Sequence, residues 1–393
     1  MSRGTDINEF KKRYSTPLSI SMPKNIILEL TKSVPLRYGE NPNQPGAIYA
    51  FHGLTDSLGI KLVKNGKGGP SATNWMDVTR AMDVLKYFTE PSVAVMKHLM
   101  PSGFATQMGA RSLDEIFQLA WDADPRSAFG SVVVTNRELD VVTAEEIIAR
   151  YVEGVAAPSY EPEALEVLEQ KPNLRAWSFR NLDQMPKYIG DNIDGLYDIK
   201  GLPDGSLMIQ VPYLSGVRSI DDLILDAKVT HEGQDYVVAR DPMIQELSDL
   251  MTGWRVNIGG ARSNGIIIVK DGVATIGAGQ QERVGAVEQA ITKAYQKAVD
   301  RKRKSEDPNA EWASGDMSWD EMSNELGYRP LEGAVLTSDA FFPFPDSIDV
   351  AHKAGITAVA QPGGSIRDYM VIDAVNNYGM AMVIVDQRCF SHF

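Results

Sequence analysis

The sequence predicts an α/β protein, because short buried-strand patterns alternate with helix patterns along most of its 393 residues. Five runs of small or β-branched apolar residues, each bounded by Gly, Asp or Asn, have the composition of buried strands. These runs are GSVVVTN (130–136), GIIIVKDG (265–272), AVLTSD (334–339), GITAVAQPGG (355–364) and GMAMVIVD (379–386). Helix patterns between them indicate a sheet covered by helices.

Three helix starts show the capping-box spacing, in which the side chains of a Ser or Thr and a Glu three residues later bond each other's backbone N–H. The pairs are Ser112–Glu115, Thr143–Glu146 and Ser318–Glu321. We expect helices of about 10–15 residues after each cap. The segment 269–294 predicts a strand, a turn, a second strand, a Gly-rich loop and a helix.

Two polar segments are candidate domain boundaries: KGLPDGS (200–206), with its Pro-Asp-Gly turn, and the charged segment 300–318, predicted to be an exposed connection. A formal net charge of −13 argues against a protein that coats nucleic acid or anionic membrane. The single cysteine excludes an intrachain disulfide and a zinc site built on several Cys ligands. With no signal-peptide core and no membrane-length apolar run, we expect a cytoplasmic protein.

The segment VAVMKHLMPSGFAT (93–106) brings an ionisable pair, Lys97 and His98, to the end of a buried strand. A histidine near neutral pKa is suited to act as a general base, and an adjacent lysine can stabilise an oxyanion. A solvated strand end would have the same pattern. From these residues alone the two readings stand about even.

Three other segments offer binding groups. Arg37 and Tyr38 precede a Gly- and Pro-rich loop, and the arginine fork suits a phosphate. The loop GAGQQER ends at Arg283 and opens a helix, but it lacks the third Gly of a dinucleotide fingerprint and the Lys of a P-loop. In 337–355, Phe341 and Phe344 either cap a core or form a wall for a flat ligand. Ordinary surface turns and core packing are the alternatives.

Together these segments resemble the transformylase half of the AICAR formyltransferase/IMP cyclohydrolase family. The blocks that carry the resemblance are LRYGENPNQ, KHLMPSGFA, SAFGS, RSNG, GAGQQER, SDAFFPFPD, QPGGSIRD and RCFSH. They occur in family order from residue 35 to the C-terminus, and ordered co-occurrence is far more specific than any single block. We expect a stand-alone transformylase, with IMP cyclohydrolase supplied by a separate protein.

The resemblance implies two tandem cytidine-deaminase-like units, each a three-layer α/β/α arrangement. The expected bounds are 1–204 plus 300–330 for the unit with the Lys-His pair, and 205–299 plus 331–393 for the unit with the folate and nucleotide loops. Deaminase chemistry itself is excluded, because the sequence has no H-x-E with C-x-x-C. The resemblance also implies homodimers whose active sites are built from both subunits.

The activity implied by the resemblance is transfer of the formyl group of 10-formyltetrahydrofolate to the 5-amino group of AICAR. The products are formyl-AICAR and tetrahydrofolate, at the penultimate step of IMP synthesis, with no catalytic metal. By position in the blocks, the catalytic residues are Lys97, His98 and Asn264, and the nucleotide contacts are Arg37, Tyr38, Gly130, Glu153, Phe341 and Arg388. The implied folate contacts are Arg283, Phe344, Asp346, Ser347, Ser365 and Ile366, and a structural K⁺ is expected near Ser263 and Asp339.

The chain departs from the family blocks at several positions near the site. Met100 replaces the Asn of K-H-x-N-P, Pro345 stands where relatives often carry Arg, and Glu153 where some have Asp. The segment NIGGA (257–261) replaces a Lys-containing strand. The change at Met100 keeps open a non-catalytic AICAR-binding paralogue. A formyltransferase with another donor, such as formate with ATP, is a further alternative, although no ATP-phosphate loop is visible.

Overall fold

The computed structural model describes residues 4–7, 22–51, 58–385 and 387–392. In its first half the strands and helices are β1 (Thr5–Asp6), β2 (Leu30–Pro35), β3 (Ala47–Phe51), β4 (Lys61–Lys64), α1 (Ala72–Leu85), β5 (Ser92–Lys97), β6 (Met100–Thr106), α2 (Leu113–Asp122), α3 (Pro125–Ala128), β7 (Ser131–Thr135), α4 (Val141–Ile148), β8 (Val152–Ala157), α5 (Pro162–Glu169) and β9 (Arg175–Ser178).

The second half follows a connecting region that contains two short 3₁₀ turns, Leu182–Gln184 and Ile220–Asp222. Its elements are β10 (Asp198–Gly201), β11 (Leu207–Gln210), β12 (Ala227–His231), β13 (Gln234–Val237), α6 (Ile244–Gly260), β14 (Ile266–Lys270), β15 (Val273–Gly277), α7 (Arg283–Glu306), α8 (Trp319–Leu326), β16 (Val335–Ser338), α9 (Asp346–Ala354), β17 (Ala358–Gln361), α10 (Asp368–Asn377) and β18 (Ala381–Ile384). All five predicted strands are present.

Across the described residues, eleven strands form one sheet in the order β18-β17-β16-β14-β15-β6-β5-β7-β8-β9-β4. The same connectivity occurs twice. In each half a helix leads into a hairpin (β5–β6, β14–β15), a strand pairs antiparallel with the first hairpin strand (β7, β16), and two further strands follow in parallel. This repetition agrees with two tandem α/β units, while their cytidine-deaminase-like character stays a prediction.

The two units join through β6 and β15, which pair antiparallel. An antiparallel junction between two similar units reverses the strand directions of one relative to the other. The edge of the sheet that holds the β5–β6 turn therefore also holds the starts of β7 and β8 and the carboxyl ends of β16, β17 and β18. The predicted site residues lie along this shared edge.

Three apolar clusters cover the sheet. One runs across both units on the face that carries α1 and α6, with Met82, Trp254 and Trp177 among its buried members. On the opposite face, one cluster belongs to the first unit under α2, α4 and α5, and another to the second unit under α7, α9 and α10. Helices thus cover both faces, which is the three-layer arrangement expected from buried, mostly apolar strands.

The segment 300–318 was predicted to be an exposed connection, and residues 300–330 were expected to belong to the first unit. Helix α7 continues to Glu306, and α8 buries Met322 and Leu326 in the core of the second unit, so we place α8 with that unit. Asp300 is fully buried and pairs with Arg126 of the first unit at 2.6 Å. An amphipathic helix can continue through a run of charged residues as long as its inner face packs on the core. The charged residues after Asp300 hid that periodicity in the sequence.

Two of the three predicted capping boxes are confirmed. Glu115 accepts from the backbone N–H of Ser112 at 2.9 Å, and Ser318 and Glu321 bond each other's N–H groups. The Thr143 prediction is wrong, because α4 begins two residues earlier and the Asp140 side chain accepts from the Thr143 N–H. The Pro-Asp-Gly turn at 200–206 closes the β10–β11 hairpin. Among the described helices, none is long and apolar enough to cross a membrane.

Candidate active site

The Lys-His pair lies at a two-residue β-hairpin turn. β5 ends at Lys97, which is the cross-strand partner of Met100, and His98 and Leu99 form the turn with φ of 54° and 66°. Positive φ at both central residues is the geometry of a type I′ turn, which suits the twist of the flanking strands. The His98 side chain is exposed, whereas β5 up to Met96 is buried. The strand end therefore presents the two side chains together at the edge of the sheet.

Backbone carbonyl groups of the neighbouring loop hold the Lys97 ammonium group. Its Nζ donates to the carbonyl oxygen of Phe129 at 3.0 Å and to that of Gly130 at 2.9 Å. Gly130 has φ of 69°, and a Cβ there would lie 3.1 Å from the Lys97 Nζ. A glycine at this position therefore allows both the turn and the close approach of the ammonium group. The exposed rings of Phe129 and Tyr151 stack beside it at 4.6 Å.

Helix α1 presents three buried polar side chains, three residues apart, to the site. Ser71 and Asn74 cap the helix by bonding each other's backbone N–H. Asn74 also donates from Nδ2 to Glu153 at 3.0 Å, and Asp77 accepts from the N–H of Leu99 at 2.7 Å. The helix is therefore tied to the His98–Leu99 turn and to the start of β8.

The Asp77 carboxyl group is unusually easy to protonate. Burial raises the pKa of Asp77 to about 6, and the negative charge of Glu153 acts in the same direction. The Leu99 hydrogen bond and the positive charge of Lys97 oppose that rise in pKa. Asp77, Lys97 and Glu153 thus form one electrostatic cluster, although only Lys97 and Glu153 were predicted from the sequence.

The predicted phosphate contacts lie at the start of the same helix. The carbonyl oxygen of Tyr38 accepts from the N–H of Ala72 at 3.3 Å, and the Arg37 N–H donates to Pro70 at 3.1 Å. The Arg37 guanidinium lies 5.4 Å from the Tyr38 ring centroid and is exposed to solvent. Arg37 is therefore placed where a helix N-terminus and a cation would both favour an anion.

A second cluster surrounds Asn264 in the other unit. Arg283 is buried and donates to the Asn264 Oδ1 at 2.6 Å and to Asp339 at 2.5 Å. Ser263 donates to the other oxygen of Asp339 at 2.7 Å. Asn264 in turn donates to the carbonyl groups of Gln280 and Gln281. Arg283, which the resemblance places against folate, here orients Asn264 and neutralises Asp339.

The remaining predicted contacts follow the carboxyl ends of β16, β17 and β18. The side chains of Phe341, Phe344 and Ile366 are 40%, 45% and 83% exposed, as a wall for a flat ligand requires. Arg367 lies 4.4 Å over the Phe344 ring, and Arg388 lies 4.9 Å over Phe390. The other three predicted folate contacts differ in exposure. Asp346 is exposed, Ser347 is buried and donates its N–H to the Asp346 carboxylate, and Ser365 is half-buried.

All of these residues lie on one sheet edge, but they form two groups. β5 and β16 are four strand spacings apart in the sheet, which is about 19 Å at the usual strand separation. The nucleotide group, made of Lys97, His98, Gly130 and Glu153, lies at β5, β7 and β8. The aromatic group at β16 to β18 also holds two of the predicted nucleotide contacts, Phe341 and Arg388. The structure brings Lys97 to Gly130 and Glu153, and Asn264 to Arg283, Ser263 and Asp339.

The sequence predictions missed Asn74, Asp77, Phe129 and Tyr151. One pattern in the sequence could have indicated the polar residues of α1. Ser71, Asn74 and Asp77 recur every three residues on a helix whose other buried side chains are apolar. Phe129 and Tyr151 follow no such pattern, since their stacking joins two loops. No group of three or more His, Cys, Asp or Glu side chains within metal-binding reach occurs in the described part of the chain.

The sequence of this chain is similar to those of known proteins. The family described as AICARFT/IMPCHase bienzyme matches residues 7–293. The chain is 37% identical over 374 residues to the bifunctional purine biosynthesis protein PurH of Acetivibrio thermocellus, and 36% identical over 373 residues to PurH of Sorangium cellulosum. Each alignment covers 94% of this chain and 61% of the relative. The chain therefore spans about three fifths of the length of these relatives.

Proposed function

Because this chain belongs to the AICARFT/IMPCHase bienzyme family, we propose that it transfers the formyl group of 10-formyltetrahydrofolate to the 5-amino group of AICAR. One observation carries the proposal above all: a buried strand ends in a fixed turn that presents Lys97 and exposed His98 together, beside Gly130 and Glu153. A frayed strand end would not show an ammonium group held by two carbonyl oxygens at 2.9 and 3.0 Å.

His98 acts as the base in this proposal. The amine of AICAR is a weak nucleophile, because its lone pair is delocalised into the imidazole and the carboxamide. When the amine nitrogen attacks the formyl carbon it must lose a proton, which His98 accepts directly or through the carboxamide. The bond between the formyl carbon and N10 then breaks, and N10 takes a proton to give tetrahydrofolate.

Lys97 stabilises the tetrahedral oxyanion. Two of its three N–H donors are directed at the carbonyl groups of Phe129 and Gly130, which orients the third. Asn264 was predicted as a second donor, but its amide already donates to Gln280 and Gln281. It would have to exchange one of those bonds for the oxyanion, so we assign the larger share of the stabilisation to Lys97.

The binding groups hold the two substrates against each other. Arg37, Tyr38 and Arg388 bind the nucleotide phosphate in this proposal, with Gly130, Glu153 and Phe341 around the rest of the nucleotide. Folate is bound by Phe344, Asp346, Ser347, Ser365 and Ile366. The buried Arg283 contributes to the folate site by holding Asn264 through a hydrogen bond. Binding energy from the phosphate and the pterin then fixes the amine against the formyl carbon.

We further propose a homodimer with shared sites. The nucleotide group and the aromatic group of one chain are about 19 Å apart along the sheet, so loops of a second copy have room to complete each site. The K⁺ expected near Ser263 and Asp339 stays a prediction. The separate IMP cyclohydrolase stays a prediction, tested by assaying the purified chain for IMP formation from formyl-AICAR.

The experiment is an assay of tetrahydrofolate formation by the purified chain, with and without AICAR. We expect tetrahydrofolate only when AICAR is present, and no formyl-AICAR when formate and ATP replace the folate donor. AICAR binding without turnover would support the non-catalytic paralogue instead, which Met100 keeps in consideration. Folate turnover without AICAR would contradict both readings.

A further inference from the structure

We propose that Asp77 is a positioning residue, whose carboxylate holds the His98–Leu99 turn so that Lys97 and His98 face one ligand. The inference rests on the proposed function for its catalytic consequence, and on the contacts of α1 for its structural part. The predictions from sequence did not single out Asp77. It lies on a helix, at a distance along the chain from every predicted site residue.

The His98–Leu99 turn needs a contact from outside the hairpin to keep its backbone conformation. His98 and Leu99 both have positive φ, although neither is glycine. Left-handed backbone costs an L-residue roughly 1–2 kcal/mol, so the turn is under strain. The Asp77 Oδ1 accepts from the N–H of Leu99 at 2.7 Å, within the strained segment itself. A hydrogen bond to a charged acceptor is strong enough to offset a cost of this size.

The helix that carries Asp77 is itself well fixed. Its first turn is closed by the Ser71–Asn74 box, and its far end packs against α6, where Gly259 approaches the backbone of Asp83. Asn74, one turn before Asp77, holds Glu153. The helix therefore sets the distance between the catalytic turn and a predicted nucleotide contact, and Asp77 is its link to the turn.

The charge of Asp77 contributes as well as its hydrogen bond. The charged groups that face its carboxylate are Lys97, which favours the ionised form, and Glu153, which opposes it. A buried carboxylate that costs stability is retained at a functional site when it serves the reaction. An asparagine would keep the acceptor oxygen and lose the charge, which makes the two contributions separable.

Three variants test the inference by steady-state kinetics. Asp77→Ala removes the acceptor, and we expect kcat to fall about 100-fold with little change in AICAR affinity, because a misplaced base affects the transition state more than the bound nucleotide. Asp77→Asn keeps the acceptor, and we expect it to recover about a tenth of the wild-type kcat. Asp83→Asn is the control: Asp83 lies on the same helix and pairs with Lys86 at 2.7 Å.

A second readout does not depend on turnover. In the chain labelled with ¹⁵N-leucine, the amide signal of Leu99 is assigned with Leu99→Met. We expect it downfield in the wild type, with a pH titration midpoint near 6 that Asp77→Asn abolishes. Loss of the downfield shift in Asp77→Ala would support the inference.

The outcomes separate this inference from the proposed function. An unchanged Leu99 signal in Asp77→Ala, a kcat of Asp77→Ala near the wild-type value, or an Asp77→Asn variant no better than Asp77→Ala would each overturn the positioning role. Absence of AICAR-dependent turnover in the wild type, with the Leu99 signal behaving as expected, would overturn formyl transfer instead.

Discussion

At the scale of single residues, the site depends on side chains that are buried and polar. Asp77 is 4% exposed, and Arg283 is 8% exposed and pairs with Asp339. Groups of this kind are costly to bury and are retained where they orient other groups. The two clusters follow one pattern, in which a buried charge holds a less buried side chain or turn toward solvent.

Replacing Asp77 by asparagine should stabilise the fold at neutral pH. The folded state holds a proton on Asp77 up to a pKa of about 6, whereas the ordinary value is 3.8, so stability falls as pH rises through that window. At pH 7.5 the buried charge costs up to about 3 kcal/mol, which Asp77→Asn removes. At pH 4 most of that cost is already absent from the wild type.

Urea unfolding midpoints at pH 7.5 and at pH 4 measure this difference, with Asp83→Asn, a half-buried carboxylate on the same helix, as the comparison. The account requires a larger gain for Asp77→Asn at pH 7.5 than at pH 4. An equal gain at both pH values would mean that the charge is not the source of the cost.

Neighbouring positions around the site could be predicted from the sequence where they belong to one motif, but not where a side chain reaches across the fold. Lys97 and Gly130, both predicted to belong to the site, are in contact, while their roles stay predictions. Arg283 was expected to face a ligand, but its buried bonds to Asn264 and Asp339 depend on three segments distant in sequence. No local pattern reports such a contact.

At the scale of elements, close helix packing determines where the site sits. The NIGGA segment, where relatives are expected to have a strand, ends helix α6 instead. A Cβ on Gly259 would lie 2.5 Å from the carbonyl oxygen of Asp83 on α1. Glycine therefore lets α6 approach the helix that carries Asn74 and Asp77. Local propensity could not predict this contact, because it comes from the crossing of two helices far apart in the chain.

Substitution of Gly259 by alanine should push the two helices apart. Overpacking of this kind costs about 1–3 kcal/mol, even though alanine favours a helix. We expect a lower unfolding midpoint and a lower kcat, because Asp77 moves with α1. Gly315→Ala is the matched control, since no atom lies within 4 Å of a Cβ there. A Gly259→Ala variant as stable and as active as Gly315→Ala would show that the close approach is unimportant.

At the scale of the whole molecule, two similar units share one sheet with opposite strand directions. The alternation of strands and helices along the chain could be predicted from the sequence, and the five predicted strands are all present. The junction between the two units could not be predicted, because β6 and β15 pair through only two residue pairs. These are Val273 with Ala105 and Ala274 with Phe104. That register is set by packing on both faces of the sheet.

Shared sites predict complementation between two inactive variants. His98→Ala damages the nucleotide group and Phe344→Ala the aromatic group, so a mixed dimer contains one site with neither change. After unfolding and refolding together, we expect about a quarter of wild-type activity from random pairing of the two chains. The wild type refolded alone is the control for recovery. A mixture no more active than its separate components would argue that each site lies within one chain.

The central claim is that Lys97 and His98 perform formyl transfer, and the most direct measurement is single-turnover formation of formyl-AICAR by His98→Ala beside the wild type. His352→Ala, at an exposed position near the end of α9, is the matched control. The account predicts a loss of about 100-fold or more in the rate of the chemical step for His98→Ala, with AICAR affinity nearly unchanged. A His98→Ala rate equal to that of the wild type would contradict it.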